Sequence, residues 1–329
     1  MNTPEKIEAK RAQLLNRTAA ALDVTISEAE KLFAVNRLSS FRINRLKVDD
    51  DLSLLAELHD AGWRGKQSSY YQYGYSIETG RDVVVASEAA RDGRLFIQNQ
   101  ASWLAVLALD PREQDAVLDM CAAPGGKATF IAELTINQAI LTVNDSSKER
   151  LYKLRANFER LGCHYDKLTM FTLERLKKEL PAGGYNKILL DAPCSGEGMM
   201  DLSKDYEFEY WSLAQIKRLH QLQKKSIATA WRLLKPGGTL VYSTCTMAPE
   251  ENEAVIDYLL SHNADAALVD TGQQPTNRYP ALQKWGGRIF RNDLTHCLRL
   301  APSPFVEAFF VAKVIKLSPQ EVRYTDYNE

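Results

Sequence analysis

Apolar and polar positions along this chain follow two different rhythms. In the opening third the spacing changes from one segment to the next. Thr3-Pro4-Glu5 places a capping residue, a proline suited to the first helical position and an early acid ahead of a periodic run, which predicts a helix start. Residues 27–34 predict a second short helix, residues 40–46 alternate as a half-buried strand does, residues 52–61 return to helical spacing, and Tyr71, Tyr73 and Tyr75 alternate again. Together they predict a small α+β domain over residues 1–92.

Over residues 93–329 strands alternate with helices, which predicts an α/β domain built on a mostly parallel sheet with crossover helices. A helix at 99–109 precedes a strand at 116–120, a glycine-rich turn and a helix at 126–135. Then come a strand at 139–143, a helix at 147–161, and strands at 167–171 and 186–190. A long helix over 211–234 meets Lys235-Pro236-Gly237-Gly238, a stop-and-turn signal, before a strand at 239–243. Pro249-Glu250-Glu251 starts one more helix, and residues 305–317 form a final strand, the antiparallel member of a C-terminal pair. There is no internal repeat and no low-complexity segment.

Composition removes several function classes. At 329 residues, 45% apolar and 25% charged, the chain has the make-up of a folded globular protein. Its apolar stretches are too short to span a membrane and its start is polar and charged, unlike a signal peptide, so a cytoplasmic location is expected. A formal net charge of −1 argues against coating nucleic acid by bulk charge. Cys121, Cys163, Cys194, Cys245 and Cys297 are widely spaced with no Cys-x-x-Cys pair, and the histidines are scattered. Reduced thiols and no metal are the expectation.

The chemistry concentrates at predicted strand ends. Cys121-Ala122-Ala123-Pro124-Gly125-Gly126-Lys127 follows the first strand of the sheet. Small residues let the backbone approach a ligand, and the helix beyond offers free amides. The run matches neither a Gly-x-Gly-x-x-Gly dinucleotide turn nor a P-loop. Asp145 ends the second strand, where an acid accepts hydrogen bonds from ribose hydroxyls. Asp191 ends the fourth, with Pro193 directing the chain and Cys194 next to it, a placement suited to gripping the polar edge of a flat base. Cys245 follows the fifth strand, beside the fourth in the expected order, so both thiols open into one crevice.

The three runs Cys121–Lys127, Asp191-Ala192-Pro193-Cys194-Ser195-Gly196-Glu197-Gly198 and Ser243-Thr244-Cys245-Thr246, with Glu250-Glu251-Asn252-Glu253 after them, resemble the RNA cytosine-5 methyltransferase family of Sun, RsmB, RsmF and nucleolar type. The match runs from about Phe96 to about Val314, and more faintly back to Phe41-Arg42-Ile43-Asn44. The resemblance implies a Rossmann-like domain of seven strands that uses S-adenosylmethionine. It assigns Cys121, Ala122, Ala123, Pro124, Gly125, Gly126, Lys127, Asp145 and Asp191 to the cofactor, with Arg150 as a lesser candidate. It makes Cys245 the nucleophile, Asp191 the residue that binds and polarises cytosine, and Cys194 the helper in product release. Lys127 is either an electrostatic helper or part of the cofactor loop. Two positions depart from the family pattern. Thr172 stands where an acid commonly meets the adenine, so that contact is either weakened or moved to Glu174, and Ala308 replaces the glycine usual before Phe309 and Phe310.

The expected partner is RNA, rRNA before tRNA, bound by a monomer. Lys31, Arg37, Arg42, Arg45 and Lys47 carry no acid among them from 31 to 48, and Tyr70, Tyr71, Tyr73 and Tyr75 follow Trp63-Arg64-Gly65-Lys66. These residues either contact RNA, cations on phosphates and rings on bases, or form a packed face with a solvated rim. Two rival functions are an exocyclic-amine methyltransferase, which needs no nucleophilic thiol, and a catalytically silent RNA-binding assembly protein.

Overall fold

The computed structural model describes residues 3–325, with side chains through Val322. The opening helices are α1 (Pro4–Leu22), with proline in its first turn, and α2 (Ile26–Phe33), whose start is closed by a capping box between Thr25 and Glu28. Their buried residues Leu14, Leu15, Leu22, Ala29 and Phe33 share an apolar cluster with Met200, Phe208, Trp211 and Met247. Both helices therefore clasp the larger domain and not the small sheet.

That small sheet comprises β1 (Ser39–Ile43), β2 (Gly74–Ile77) and β3 (Leu95–Ile97), antiparallel in the order β2-β1-β3. Helix α3 (Asp51–Asp60) lies between the first two strands, and α4 (Arg81–Ala86) and α5 (Glu88–Arg91) precede the third. The strand that closes the sheet thus comes from residues past 92. The tyrosine alternation is only partly a strand, because Tyr71 and Tyr73 precede β2. Tyr71 is buried and donates from its hydroxyl to Glu133 at 3.0 Å, which pulls it onto the larger domain. Gly74 follows because a Cβ there would lie 2.4 Å from the Trp103 ring.

Within the basic run Arg42 is packed, Arg37 and Arg45 are half-buried, and Lys31 and Lys47 are exposed. Arg42 is 0% exposed, paired with Glu133 and hydrogen-bonded to Thr129 Oγ1 at 2.8 Å. Arg45 stacks on Tyr73 with its guanidinium carbon 4.4 Å from the ring centroid, and Lys47 Nζ spans the carbonyls of Asp92 and Arg160 at 2.7 and 2.8 Å. For Arg42, Tyr71 and Tyr75, all buried, the packed alternative is the observed one.

The larger domain continues with α6 (Gln100–Leu109), β4 (Ala116–Asp119), α7 (Gly126–Leu134), β5 (Ile140–Asn144), α8 (Lys148–Leu161), β6 (Lys167–Thr169), α9 (Leu173–Glu179), β7 (Tyr185–Asp191), α10 (Leu213–Leu233), β8 (Leu234–Thr244) and α11 (Glu253–His262). Then follow β9 (Ala266–Val269), β10 (Arg278–Tyr279), the small hairpin β11 (Lys284–Trp285) with β12 (Arg288–Ile289), β13 (Leu298–Leu300), β14 (Phe309–Lys316) and α12 (Pro319–Thr325). The main sheet runs β10-β13-β14-β8-β7-β4-β5-β6, with β9 also on β14. Strands β8, β7, β4, β5 and β6 are parallel and β14 is antiparallel to β8, which is the architecture expected. At nine strands the sheet is wider than the seven expected, because the short β9, β10 and β13 all join on the β14 side.

Both faces are covered, as a parallel sheet requires: Trp103, Phe130 and Phe158 pack on one side, Ile227, Trp231 and Leu259 on the other. From β4 the chain winds to β5 and β6 in one direction and to β7 and β8 in the other, so a crevice opens at the carboxyl ends of β4 and β7. Among the described residues no helix is long and apolar enough to cross a membrane.

Among the expected boundaries that move, two do so for reasons outside the local spacing. Residues 235–238 are absorbed into β8, with Gly237 at φ +76° and a register shift against Tyr185 and Lys187 taking up the irregularity. Helix α11 starts at Glu253 and not at 249, because Asn252 is held out of helical geometry (φ −113°, ψ −98°) by side-chain bonds to Thr244 and Thr246.

Candidate active site

Strands β7 and β8 pair Asp191 with Ser243, so the segments that leave them emerge side by side at the crevice. Cys194 Sγ and Cys245 Sγ are 3.2 Å apart, and the next residues repeat the pairing, with Ser195 Oγ 2.8 Å from Thr246 Oγ1. Gly198 lets the first segment pass beneath the second. Its N–H donates to Cys245 O at 2.9 Å, and a Cβ there would stand 2.5 Å from Ala308 O. The departure at Ala308 is therefore a packing position, fully buried against this crossing.

Asp191 is held from two sides, Oδ1 accepting from Ser243 Oγ at 2.7 Å and Oδ2 from Lys127 Nζ at 2.8 Å. Burial pushes the Lys127 ammonium down, but Asp191 outweighs it and the group sits above its usual range. The hydrogen bond to Cys245 and burial push the Cys194 thiol well above its usual range.

The sequence-predicted cofactor residues gather along the turn after β4. Gly125 adopts φ +109°, a conformation open to glycine, and the Ala123–Pro124 peptide is cis. Asn144 O accepts from Ala122 N at 2.8 Å, and the Arg150 guanidinium bonds Ala123 O, fixing the turn against β5 and α8. Asp145 is 3% exposed and caps Ser147 N at 2.9 Å through Oδ1. Arg150 Nη1 lies 3.0 Å from its Oδ2, off the line of a hydrogen bond, so that buried oxygen has no hydrogen-bond partner. A crevice lined by Asp145, Arg150, Phe171, Thr172, Glu174 and Pro193 opens in front of it. Thr172 Oγ1 already caps α9 by accepting from Arg175 N at 3.4 Å, while Glu174 is exposed at the rim.

Beyond Cys121 the turn borders a second part of the crevice, which Asp191 and Lys127 share with Asp119 and Gln98. Asp119 is a site residue that the sequence reading missed. It is 1% exposed, its Oδ2 has no hydrogen bond, and burial together with Asp191 pushes its carboxyl up to about 7. The available signal was its place as the last residue of a strand directly before the glycine turn.

Four consecutive residues, Glu250–Glu253, lock the edge that carries Cys245, and their roles also went unread. Glu250 pairs with Arg17 of α1 at 2.7 Å. Glu251 Oε2 accepts from Ser195 N at 3.0 Å and Gln223 Nε2 at 2.8 Å. Asn252 accepts from Thr244 Oγ1 at 2.5 Å and donates to Thr246 O at 2.9 Å. Glu253 pairs with Arg299 at 2.5 Å in a fully buried bridge. Behind them Glu197 joins Trp211 Nε1 and Thr246 Oγ1, both at 3.0 Å. Among the described residues no group of three or more His, Cys, Asp and Glu is placed to hold a metal ion.

Burial pushes Glu251 up to about 7, far above the unfolded value of about 4.3. An acid raised by folding contributes its full stability below the unfolded pKa and loses it as pH climbs toward the folded one. Glu251→Gln keeps an oxygen for Ser195 N and Gln223 and removes that titration. The variant is expected to match wild type near pH 4.5 and to exceed it by up to about 3 kcal/mol at pH 8.5. Denaturant unfolding at both pH values checks this, and a gap that fails to widen with pH counts against it.

The comparisons with known proteins bear on this geometry. A family model described as 16S rRNA methyltransferase RsmB/F matches residues 106–315. The chain is 34% identical over 284 residues to the tRNA (cytosine(49)-C(5))-methyltransferase of Pyrococcus abyssi, an alignment covering 84% of this chain and 88% of that one. It is also 34% identical to the ribosomal RNA small subunit methyltransferase F of Vibrio campbellii, covering 86% of this chain but 58% of the relative, and 30% identical to the 25S rRNA (cytosine-C(5))-methyltransferase nop2 of Schizosaccharomyces pombe, covering 89% and 49%. The chain therefore spans about half the length of several relatives that it matches. A solved methyltransferase homolog from Pyrococcus horikoshii superposes with a TM-score of 0.75 at 29% identity, covering 93% of this chain and 99% of that one.

Proposed function

The chain belongs to the RNA cytosine-C5 methyltransferase family, and from that membership we infer that it methylates carbon 5 of a cytosine in RNA by way of a covalent bond from Cys245. The observation that carries this reading is the pair of thiols 3.2 Å apart beside the Lys127–Asp191 ion pair, at the switch point of the sheet. Exocyclic-amine transfer needs no such sulphur.

The cofactor proposed is S-adenosylmethionine. The unmatched carboxylate oxygen of Asp145 suits a ribose hydroxyl, the glycine turn offers backbone at close range, and Phe171 with Pro193 gives apolar walls for an adenine. Thr172 and Glu174 both face that space. When bound, this cofactor supplies an electrophilic methyl group.

On the substrate side, Asp191 and Lys127 orient the cytosine edge and place charge beside it. Cys245 Sγ adds to carbon 6, the carbon 5–carbon 6 π pair moves onto carbon 5, and that carbon becomes nucleophilic. After methylation carbon 5 gives up its proton to a water molecule acting as base, the carbon–hydrogen electron pair re-forms the carbon 5–carbon 6 double bond, and the sulphur–carbon 6 bond breaks with its electron pair returning to Cys245. Cys194, held protonated beside that sulphur, donates a hydrogen bond to the departing thiolate.

The RNA proposed is rRNA in the cytoplasm, in keeping with the RsmB/F description of the matching family model. A second reading, tRNA, is favoured by length, since the chain spans 88% of the P. abyssi tRNA enzyme. Bisulfite sequencing of total RNA from a strain lacking the protein tests both. Loss of one methylated cytosine in rRNA is expected, loss in tRNA selects the second reading, and unchanged methylation in every RNA rejects the activity.

A further inference from the structure

The side-chain amide of Gln98 has its orientation forced on it. Its Oε1 lies 3.1 Å from Arg42 Nε and 3.1 Å from Trp103 Nε1. Both groups can only donate, so the end of the amide between them is the oxygen whatever the density of neighbouring atoms. The NH2 end is thereby turned toward Gly126, where it would stand 3.0 Å from a Cβ that glycine lacks. Among the described residues nothing accepts from it.

Gln98 and Asp119 line the same part of the crevice. One presents an unused donor and the other a buried carboxylate oxygen with no hydrogen bond. A ligand that satisfies both carries an acceptor and a cation at one end, as an α-amino acid group does. Cys121 borders both this cavity and the one holding Asp145, so one ligand running along the glycine turn reaches the two. Neither thiol lines this cavity, while Asp191 and Lys127 do, so it adjoins the place of the reacting base without reaching the sulphurs.

We propose that Gln98 donates from Nε2 to the carboxylate at the amino-acid end of S-adenosylmethionine, opposite Asp119, and that Arg42 and Trp103 are positioning residues that hold its oxygen away from the ligand. The assignment rests on the cofactor reading above. It makes the small domain a partner in cofactor binding, since Arg42 is a residue of β1 and Gln98 directly follows β3.

Calorimetric titration with two nucleosides tests it: S-adenosylhomocysteine, which has the amino-acid end, and 5′-methylthioadenosine, which lacks it. Gln98→Met, which removes the donor at similar volume, is expected to weaken S-adenosylhomocysteine about tenfold, the loss of one hydrogen bond to a charged group. Gln98→Glu keeps acceptors for Arg42 and Trp103 but sets a carboxylate against the ligand's own, and a loss of about a hundredfold is expected. Trp103→Phe frees one side of the amide and should cost a few-fold. In all three, affinity for 5′-methylthioadenosine should stay within about twofold of wild type, and a melting curve reports whether each variant is folded.

Parallel losses for both nucleosides, or a changed KM for RNA with S-adenosylhomocysteine affinity intact, overturn the assignment. Tight S-adenosylhomocysteine binding indifferent to Gln98 overturns it while leaving the cofactor reading in place. A wild-type protein that binds neither nucleoside rejects the cofactor reading together with it.

Discussion

Cys194→Ala is expected to accumulate RNA covalently attached to the protein, visible as a band that survives denaturing electrophoresis, while Cys245→Ala forms no adduct and no 5-methylcytosine. The asymmetry follows from geometry. The sulphurs are 3.2 Å apart, and the contact and burial push the Cys194 thiol well above its usual range. Removing that donor leaves bond formation possible and bond breaking unsupported, so the intermediate persists. Removing Cys245 takes away the nucleophile itself, a loss on the order of 10⁴-fold or more in turnover by analogy with other covalent enzymes. The double variant should behave as Cys245→Ala, because an adduct that never forms cannot be trapped. Methylation that survives Cys245→Ala, or an adduct that persists in the double variant, rejects the assignment of roles.

Arg42→Ala is expected to destabilise the protein by about 3–5 kcal/mol, an effect on folding and not on RNA contact. The guanidinium is fully buried, paired with Glu133, bonded to Thr129 Oγ1 at 2.8 Å and placed 4.9 Å from the Phe130 ring centroid. Its loss removes the buried ion-pair partner of the Glu133 carboxylate and leaves Tyr71 and the Arg45 backbone to bond it. Arg42→Ala with Glu133→Gln should therefore be less harmful than the two single costs combined, because the second change removes the stranded charge. Urea unfolding of the three variants measures this. A cost below about 1 kcal/mol for Arg42→Ala would contradict the burial on which the argument stands.

Arg42 also marks where the sequence could and could not be read. Residues whose chemistry depends on strand position were legible: the turn 121–127, Asp145, Asp191, Cys194 and Cys245 all come to one sheet edge, because alternating strands and helices leave few topologies. The parallel sheet and its antiparallel partner were legible for the same reason. The basic run was not, because periodicity reports which positions are apolar and says nothing of a cation buried by a distant acid 91 residues along. Pro249-Glu250-Glu251 suggested a helix start, and only tertiary bonds to Thr244 and Thr246 explain why Asn252 leaves helical geometry. Helix α9 and the short β9, β10 and β13 went unpredicted since each is brief and set by its neighbours. Asp119 looked like any residue ending a strand until its neighbours were known.

The seating of β14 has a consequence for how the enzyme is made. That strand lies between β8 and β13, with Phe310 opposite Thr244, one residue before Cys245. A ribosome releases Cys245 well before it releases Phe309–Lys316. Until those residues arrive, β8 is an open edge with unpaired backbone groups, and the thiol sits on a strand secured from one side only. The edge that carries Cys245 is therefore completed late in synthesis, when the last long strand pairs with β8.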